Sequence, residues 1–74
     1  MGIYDANYEF SKACRRRLEK KDKEGLTGWD DEYYKTEWQG RVRMLSTKRL
    51  TQKELVDIAN YCMFLWHMLK ARKK

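Results

Sequence analysis

The chain has 74 residues, with 17 Lys and Arg against 11 Asp and Glu, for a formal charge of +6. That length admits one domain with a marginal core. Two cysteines exclude a disulfide framework, and no apolar run reaches the ~18 residues of a membrane span. The positive excess favours an anionic partner, such as a nucleotide, nucleic acid, membrane surface or acidic protein; it also serves plain solubility.

The opening "MGIYDANYEF" carries an early acid and no apolar run, which argues against a secretory leader. Ala6 stands where a myristoylation signal has Ser or Thr. The chain has no proline, and its four glycines mark most of the breaks. It reads as an all-α, three-helix protomer. The first helix is expected from about Asp5, its N-cap, to about Glu24. Ile3, Ala6, Phe10, Ala13, Cys14 and Leu18 recur at helical spacing. Arg15–Glu19, Glu19–Lys23 and Lys20–Glu24 have i,i+4 ion-pair spacing. Gly25 suits the C′ position, where positive φ is free of steric cost.

After the turn "GLTGWDD", Asp30 is expected to cap a second helix that runs to about Leu45. Tyr34, Trp38, Val42 and Leu45 make its apolar stripe. Gly40 interrupts it at a cost of about 1 kcal/mol relative to Ala. Either another backbone comes close there or the helix is locally irregular.

The third helix has the strongest start signal. Thr51 and Glu54 have capping-box spacing, and Leu50 and Leu55 are placed for a hydrophobic staple. The helix is expected to run to about Arg72. Its middle, "YCMFLW", is apolar on nearly every face, so it is either the central element or an oligomer seam. With two other helices to cover it, a bundle completed by homo-oligomerisation is expected. Cys14 and Cys62 are expected as reduced, buried thiols.

Four groups of residues bear on chemistry. Glu54 and Asp57 share a helix face, but two carboxylates are few for Mg²⁺, and Glu54 is already the acid of the capping box. In the run "RRRLEKKDK", Arg16, Lys20 and Lys23 share a face able to meet an anion, although the same run also serves as a solvated helix end. Ten residues are Phe, Tyr or Trp; Trp29 and Tyr33, near the turn, are candidates to stack on a base, while Tyr34 and Trp38 fit core packing. His67 has no second ligand or nucleophile motif beside it and reads as a polar edge or interface residue. "GLTG" lacks the Lys and Ser/Thr of a phosphate loop.

"KELVDIANYCMFLW" resembles the E-x-x-D helix of the all-α nucleotide pyrophosphohydrolases, the MazG-like superfamily. "KKDKEGLTGWDDEYY" resembles the entry turn of its small phage-encoded members. The resemblance covers roughly residues 15–70. That family holds Mg²⁺ with a further E-x-x-E on the preceding helix. Here the helix reads "TEWQGRVRML": Glu37 is followed by Gly40, and Arg41 and Arg43 stand where the second acid belongs. The resemblance therefore implies a site without catalysis, metal or cofactor, in which Arg41, Arg43, Arg16, Lys20, Lys23, Trp29, Tyr33 and Asp57 meet a phosphorylated ligand. It implies a phage accessory or anti-defence protein in the bacterial cytoplasm, holding a host signalling nucleotide, with no membrane association. The alternatives are a protein-binding inhibitor of a host defence complex or a nucleic-acid-binding accessory protein. A Mg²⁺-dependent dNTP pyrophosphohydrolase would need acids such as Glu37 or Asp30 from a second subunit.

Overall fold

A computed structural model describes residues 1–71. It comprises helix α1 (Ile3–Lys23), a short 3₁₀ turn (Glu32–Tyr34), α2 (Lys35–Ser46) and α3 (Gln52–Ala71), with no strand among the described residues. The all-α expectation holds. The expected end of the third helix at Arg72 lies outside the described residues. No described helix is long and apolar enough to cross a membrane.

Helix α1 starts earlier than expected. Extended Gly2 is its N-cap, without a side-chain cap bond, and Asp5 sits inside the first turn. There its carboxylate still faces the positive end of the helix dipole. The exit follows the sequence. Gly25 has φ +92°. Its N–H donates to the Asp22 carbonyl at 3.0 Å, and the Leu26 N–H donates to the Lys21 carbonyl, also at 3.0 Å. These are the two bonds of a Schellman motif. Of the three expected i,i+4 pairs, Arg15–Glu19 is closed, at 3.6 Å and in the open.

The cap of the next segment is Asp31, not Asp30. Gly28, at φ +70°, opens a turn in which the Asp31 N–H donates to the Gly28 carbonyl at 3.0 Å, so Asp30 is used inside that turn. The Asp31 carboxylate then accepts from the Tyr33 N–H at 2.9 Å. The first turn is 3₁₀, because the Tyr34 N–H reaches back three residues to the Asp31 carbonyl. Helix α2 therefore begins at Lys35, five residues later than expected. Gly40 fulfils neither expectation: α2 is continuous through it, and a Cβ there would meet nothing within 4 Å. The capping box of α3 is formed as read. Thr51 Oγ1 accepts from the Glu54 N–H at 3.3 Å, and Glu54 Oε1 accepts from the Thr51 N–H at 3.1 Å.

Helix α3 is the central element and packs on both α1 and α2. Trp38, Phe64 and Met68 are buried, with Leu18, Leu26, Trp29, Tyr34, Tyr61, Met63 and Leu65 packed around them. Much of this core is a run of rings. Tyr34 stacks on Trp38 at 5.4 Å, Trp38 on Tyr61 at 5.2 Å, and Trp29 on Phe64 at 4.9 Å. Trp38 Nε1 donates to the Trp29 carbonyl at 2.8 Å, which satisfies the indole N–H and ties the turn to α2. Asn60, also buried, donates to the Cys14 carbonyl at 3.3 Å and joins α3 to α1.

The chain leaves much apolar surface uncovered. The first half of α1 presents Ile3, Tyr4 and Tyr8 to solvent, and α3 presents Trp66 and Leu69. Cys62, one and two turns before them on that side, is exposed, so the expected pair of buried thiols reduces to a half-buried Cys14. The radius of gyration is 13.3 Å, against about 11 Å for a compact chain of this length. The accessible surface is 6298 Å², on the order of 1,000 Å² above the ~4,900 Å² expected for a compact protein of this mass.

Candidate ligand-binding groove

Two helix faces build a large concavity. On α2, Glu37, Gly40, Arg41 and Met44 recur at three- to four-residue steps; on α3, Glu54, Asp57 and Tyr61 do the same. Between them runs a groove of about 770 Å³, with Leu45, Thr51 and Lys53 at its edges. A smaller cavity of about 140 Å³ lies where α1 joins the other two helices, and Arg17, Lys21 and Asn60 are among its walls. Arg41, Asp57 and Tyr61 line both spaces.

The meeting point is a strip of polar contacts over the aromatic core. Arg17 Nε donates to Asp57 Oδ1 at 3.1 Å, and both side chains are about four-fifths covered. Arg41 donates to Glu37 Oε1 at 2.8 Å and to the Tyr61 hydroxyl at 3.3 Å. Its guanidinium also lies 5.6 Å from the Trp38 ring and 5.7 Å from the Tyr61 ring, within cation–π range. The bonds to Glu37 and then to Tyr61 raise the Arg41 pKa further, so its charge is permanent. At the groove rim, Lys48 is ion-paired with Glu54. That lysine, and then the Thr51 backbone N–H, hold the Glu54 carboxyl below its ordinary range.

Three carboxylates thus face the groove, and each is matched to a cation: Glu37 to Arg41, Glu54 to Lys48 and Asp57 to Arg17. Among the described residues, no three His, Cys, Asp or Glu side chains are grouped to hold a metal ion. The donor set does not fit the four-carboxylate Mg²⁺ cluster that the MazG-like resemblance brings with it. Asp57, which shares a helix face with Glu54, bonds an arginine of the first helix, Arg17.

The structure brings together two of the expected site residues, Arg41 and Asp57. Arg16, Lys20 and Lys23 are exposed on α1, and neither the groove nor the cavity includes them. Arg43 is exposed and outside both spaces. Tyr33 is 80% exposed and meets only the edge of Tyr34 among the described rings. Trp29 offers one face to Phe64 and touches His67 edge-on, so it packs the core. Arg17, Lys21 and Tyr61 were not singled out in the sequence. A usable signal existed for the first two. They fall three and seven residues after Cys14, and so continue the stripe of Cys14 and Leu18 that packs on α3.

No family model, curated protein or solved structure matches this chain.

Proposed function

We propose that the chain is a noncatalytic binding protein for a phosphorylated small ligand of the nucleotide class, held between α2 and α3. The observation that carries this reading is a large groove and a small cavity walled in part by Arg17 and Lys21, which share Arg41, Asp57 and Tyr61 in their linings. A volume of about 770 Å³ is of ligand size. Guanidinium groups supply paired donors for phosphate oxygens. Catalysis is left out of the reading because the groove's carboxylates are each engaged by a cation. In this reading the protein serves a phage as an accessory or anti-defence factor. It withdraws a signalling nucleotide in the bacterial cytoplasm.

A thermal-shift screen tests the proposal. The panel is nucleoside mono-, di- and triphosphates and cyclic dinucleotides. A ligand at a hundred times its Kd stabilises by about 2.7 kcal/mol, which raises the Tm of so small a chain by roughly 10 °C or more. Arg41→Ala should abolish the rise. A panel in which no compound moves the Tm by more than about 1 °C would sink the proposal.

The excess of exposed surface favours a second element of the reading, self-association. A stable dimer needs about 800 Å² from each partner. The exposed Ile3, Tyr4 and Tyr8 of α1 and Trp66 and Leu69 of α3 can supply apolar area of that order. Sedimentation should give a multiple of 9.1 kDa. A monomer mass that does not change with concentration would contradict it. The same surfaces suit a protein partner, which a monomeric chain would favour.

A further inference from the structure

Helix α3 carries its charge inward. Lys53, Glu54 and Asp57 line the groove towards α2, and Phe64 and Met68 are buried in the core. On the side opposite Phe64, helical spacing places Gln52, Leu55, Ala59, Cys62, Trp66 and Leu69 in one stripe. Leu55 is 45% exposed, Trp66 57% and Leu69 49%, and Cys62 is exposed as well. The residues flanking the stripe, Val56, Ile58, Met63 and Leu65, are apolar and half-buried. No charged residue stands on this outer face from Gln52 to Leu69, over about 26 Å of helix. A helix whose outer side meets water normally carries its charges there.

The stripe advances by three, four, three, four and three residues. That is the a/d rhythm of a helix–helix seam, which recurs about every 3.5 residues. It also reads the same backwards, so a second copy running antiparallel meets it rung for rung. Ala59 then faces Cys62 of the other copy at the centre, Leu55 faces Trp66, and Gln52 faces Leu69. Each pairing is made twice, as two-fold symmetry requires. Small side chains at the centre let the helices approach where they cross, and larger ones fill the space as they diverge. A parallel pair would set Trp66 on Trp66 and Lys70 beside its own copy. Antiparallel helices face like flank to like flank. Lys70 lies on the flank of Val56, which shares a hollow of about 370 Å³ with Ala6, Glu9, Phe10 and Leu55. The second copy therefore brings Lys70 towards Glu9. The exposed surface exceeds that of a compact chain by on the order of 1,000 Å², and each partner of a standard interface buries about 800 Å². An unlike partner or a lipid surface requires no spacing that matches its own reverse.

We infer that the outer face of α3 is the seam of an antiparallel homodimer, with the two-fold axis passing between Ala59 and Cys62. This rests on the self-association proposed above and places it on α3, with Tyr4 and Tyr8 of α1 outside the contact. Cys62, open on each separated chain, is covered in the dimer, so its reaction with maleimide slows as protein concentration rises.

Sedimentation of the full chain and its variants tests the inference, with helix content verified by circular dichroism. The chain should give twice 9.1 kDa. Cys62→Glu, which would bury an unpaired charge from each copy, should raise the dissociation constant about a hundredfold or more. Tyr4→Glu should leave it within about twofold. Orientation is read with a short bis-maleimide in a Cys62→Ala background. Chains carrying Gln52→Cys should cross-link to chains carrying Leu69→Cys, and neither should cross-link to itself. A dimer indifferent to Cys62→Glu, or Gln52→Cys chains that cross-link to one another, overturns the inference and leaves self-association standing. A chain that is monomeric at every concentration overturns both, and its retention on phosphatidylcholine vesicles would then assign the face to a lipid surface.

Discussion

Replacing Asp57 by Ala removes one end of the ion pair that fastens α1 to α3. Arg17 Nε and Asp57 Oδ1 are 3.1 Å apart, with side chains 21% and 18% exposed. A pair in open solvent contributes about 0–1 kcal/mol, whereas breaking a fully buried pair at one end costs about 3–5 kcal/mol. This pair lies between the limits, and the arginine stem can carry its stranded charge towards the cavity mouth. Asp57→Ala should therefore cost about 2 kcal/mol, with a coupling of about 1 kcal/mol in the double-mutant cycle with Arg17→Ala. A chain of this size has a total stability of roughly 4–11 kcal/mol, so the loss is resolvable. Urea unfolding of the four proteins is the assay: the midpoint should fall by roughly 1–2 M with the slope unchanged. A coupling below about 0.3 kcal/mol would refute the assignment of this pair as the α1–α3 fastening.

Three further outcomes follow from particular residues. Gly40→Ala should stabilise the chain by about 1 kcal/mol, since the helix is regular and the space open; a lower Tm would contradict that space. The folded-state pKa of Glu54 is depressed from 4.5, with the Lys48 pairing as its first cause. Its contribution is therefore fully present above about pH 4.5 and lost as pH falls through the lower folded value. Denaturant titrations should show the deficit of Glu54→Gln shrinking from pH 6 to pH 3, and a deficit constant over that range would show that the capping and Lys48 contacts do not favour the ionised form. Cys62 is exposed, while burial raises the thiol pKa of half-buried Cys14; maleimide should modify Cys62 roughly tenfold faster or more, and equal rates would count against the packing of α1 on α3.

Features written in adjacent residues were legible in the sequence. Gly25 ends α1 in the left-handed conformation, and Thr51 and Glu54 close their box, because each motif is complete within a few residues. Asp30 and Asp31 are equivalent as side chains; the turn opened by Gly28 decides between them, and that turn is a matter of backbone geometry. The basic run "RRRLEKKDK" places cations on every side of α1, and packing on α3 alone selects Arg17 and Lys21 over Arg16, Lys20 and Lys23. Trp29 follows a glycine in a turn, a context that suggests exposure, yet its carbonyl is held by Trp38 and its ring lies on Phe64. At Gly40 the sequence offered a close backbone or an irregular helix, and the structure shows a regular helix with open space, because a missing side chain is compatible with all three.

The central claim is that Arg17, Lys21 and Arg41, rather than the exposed cations of α1, meet the anionic group of a ligand. Amide and side-chain NMR during titration of the full chain with the nucleotides of the thermal-shift panel tests this residue by residue. The shifts are expected to cluster on Arg17, Lys21, Gly40, Arg41, Asp57 and Tyr61, with Arg16, Lys20, Lys23 and Arg43 unmoved. Shifts led by Arg16, Lys20 and Lys23, or a spectrum unchanged at millimolar nucleotide, would contradict the account.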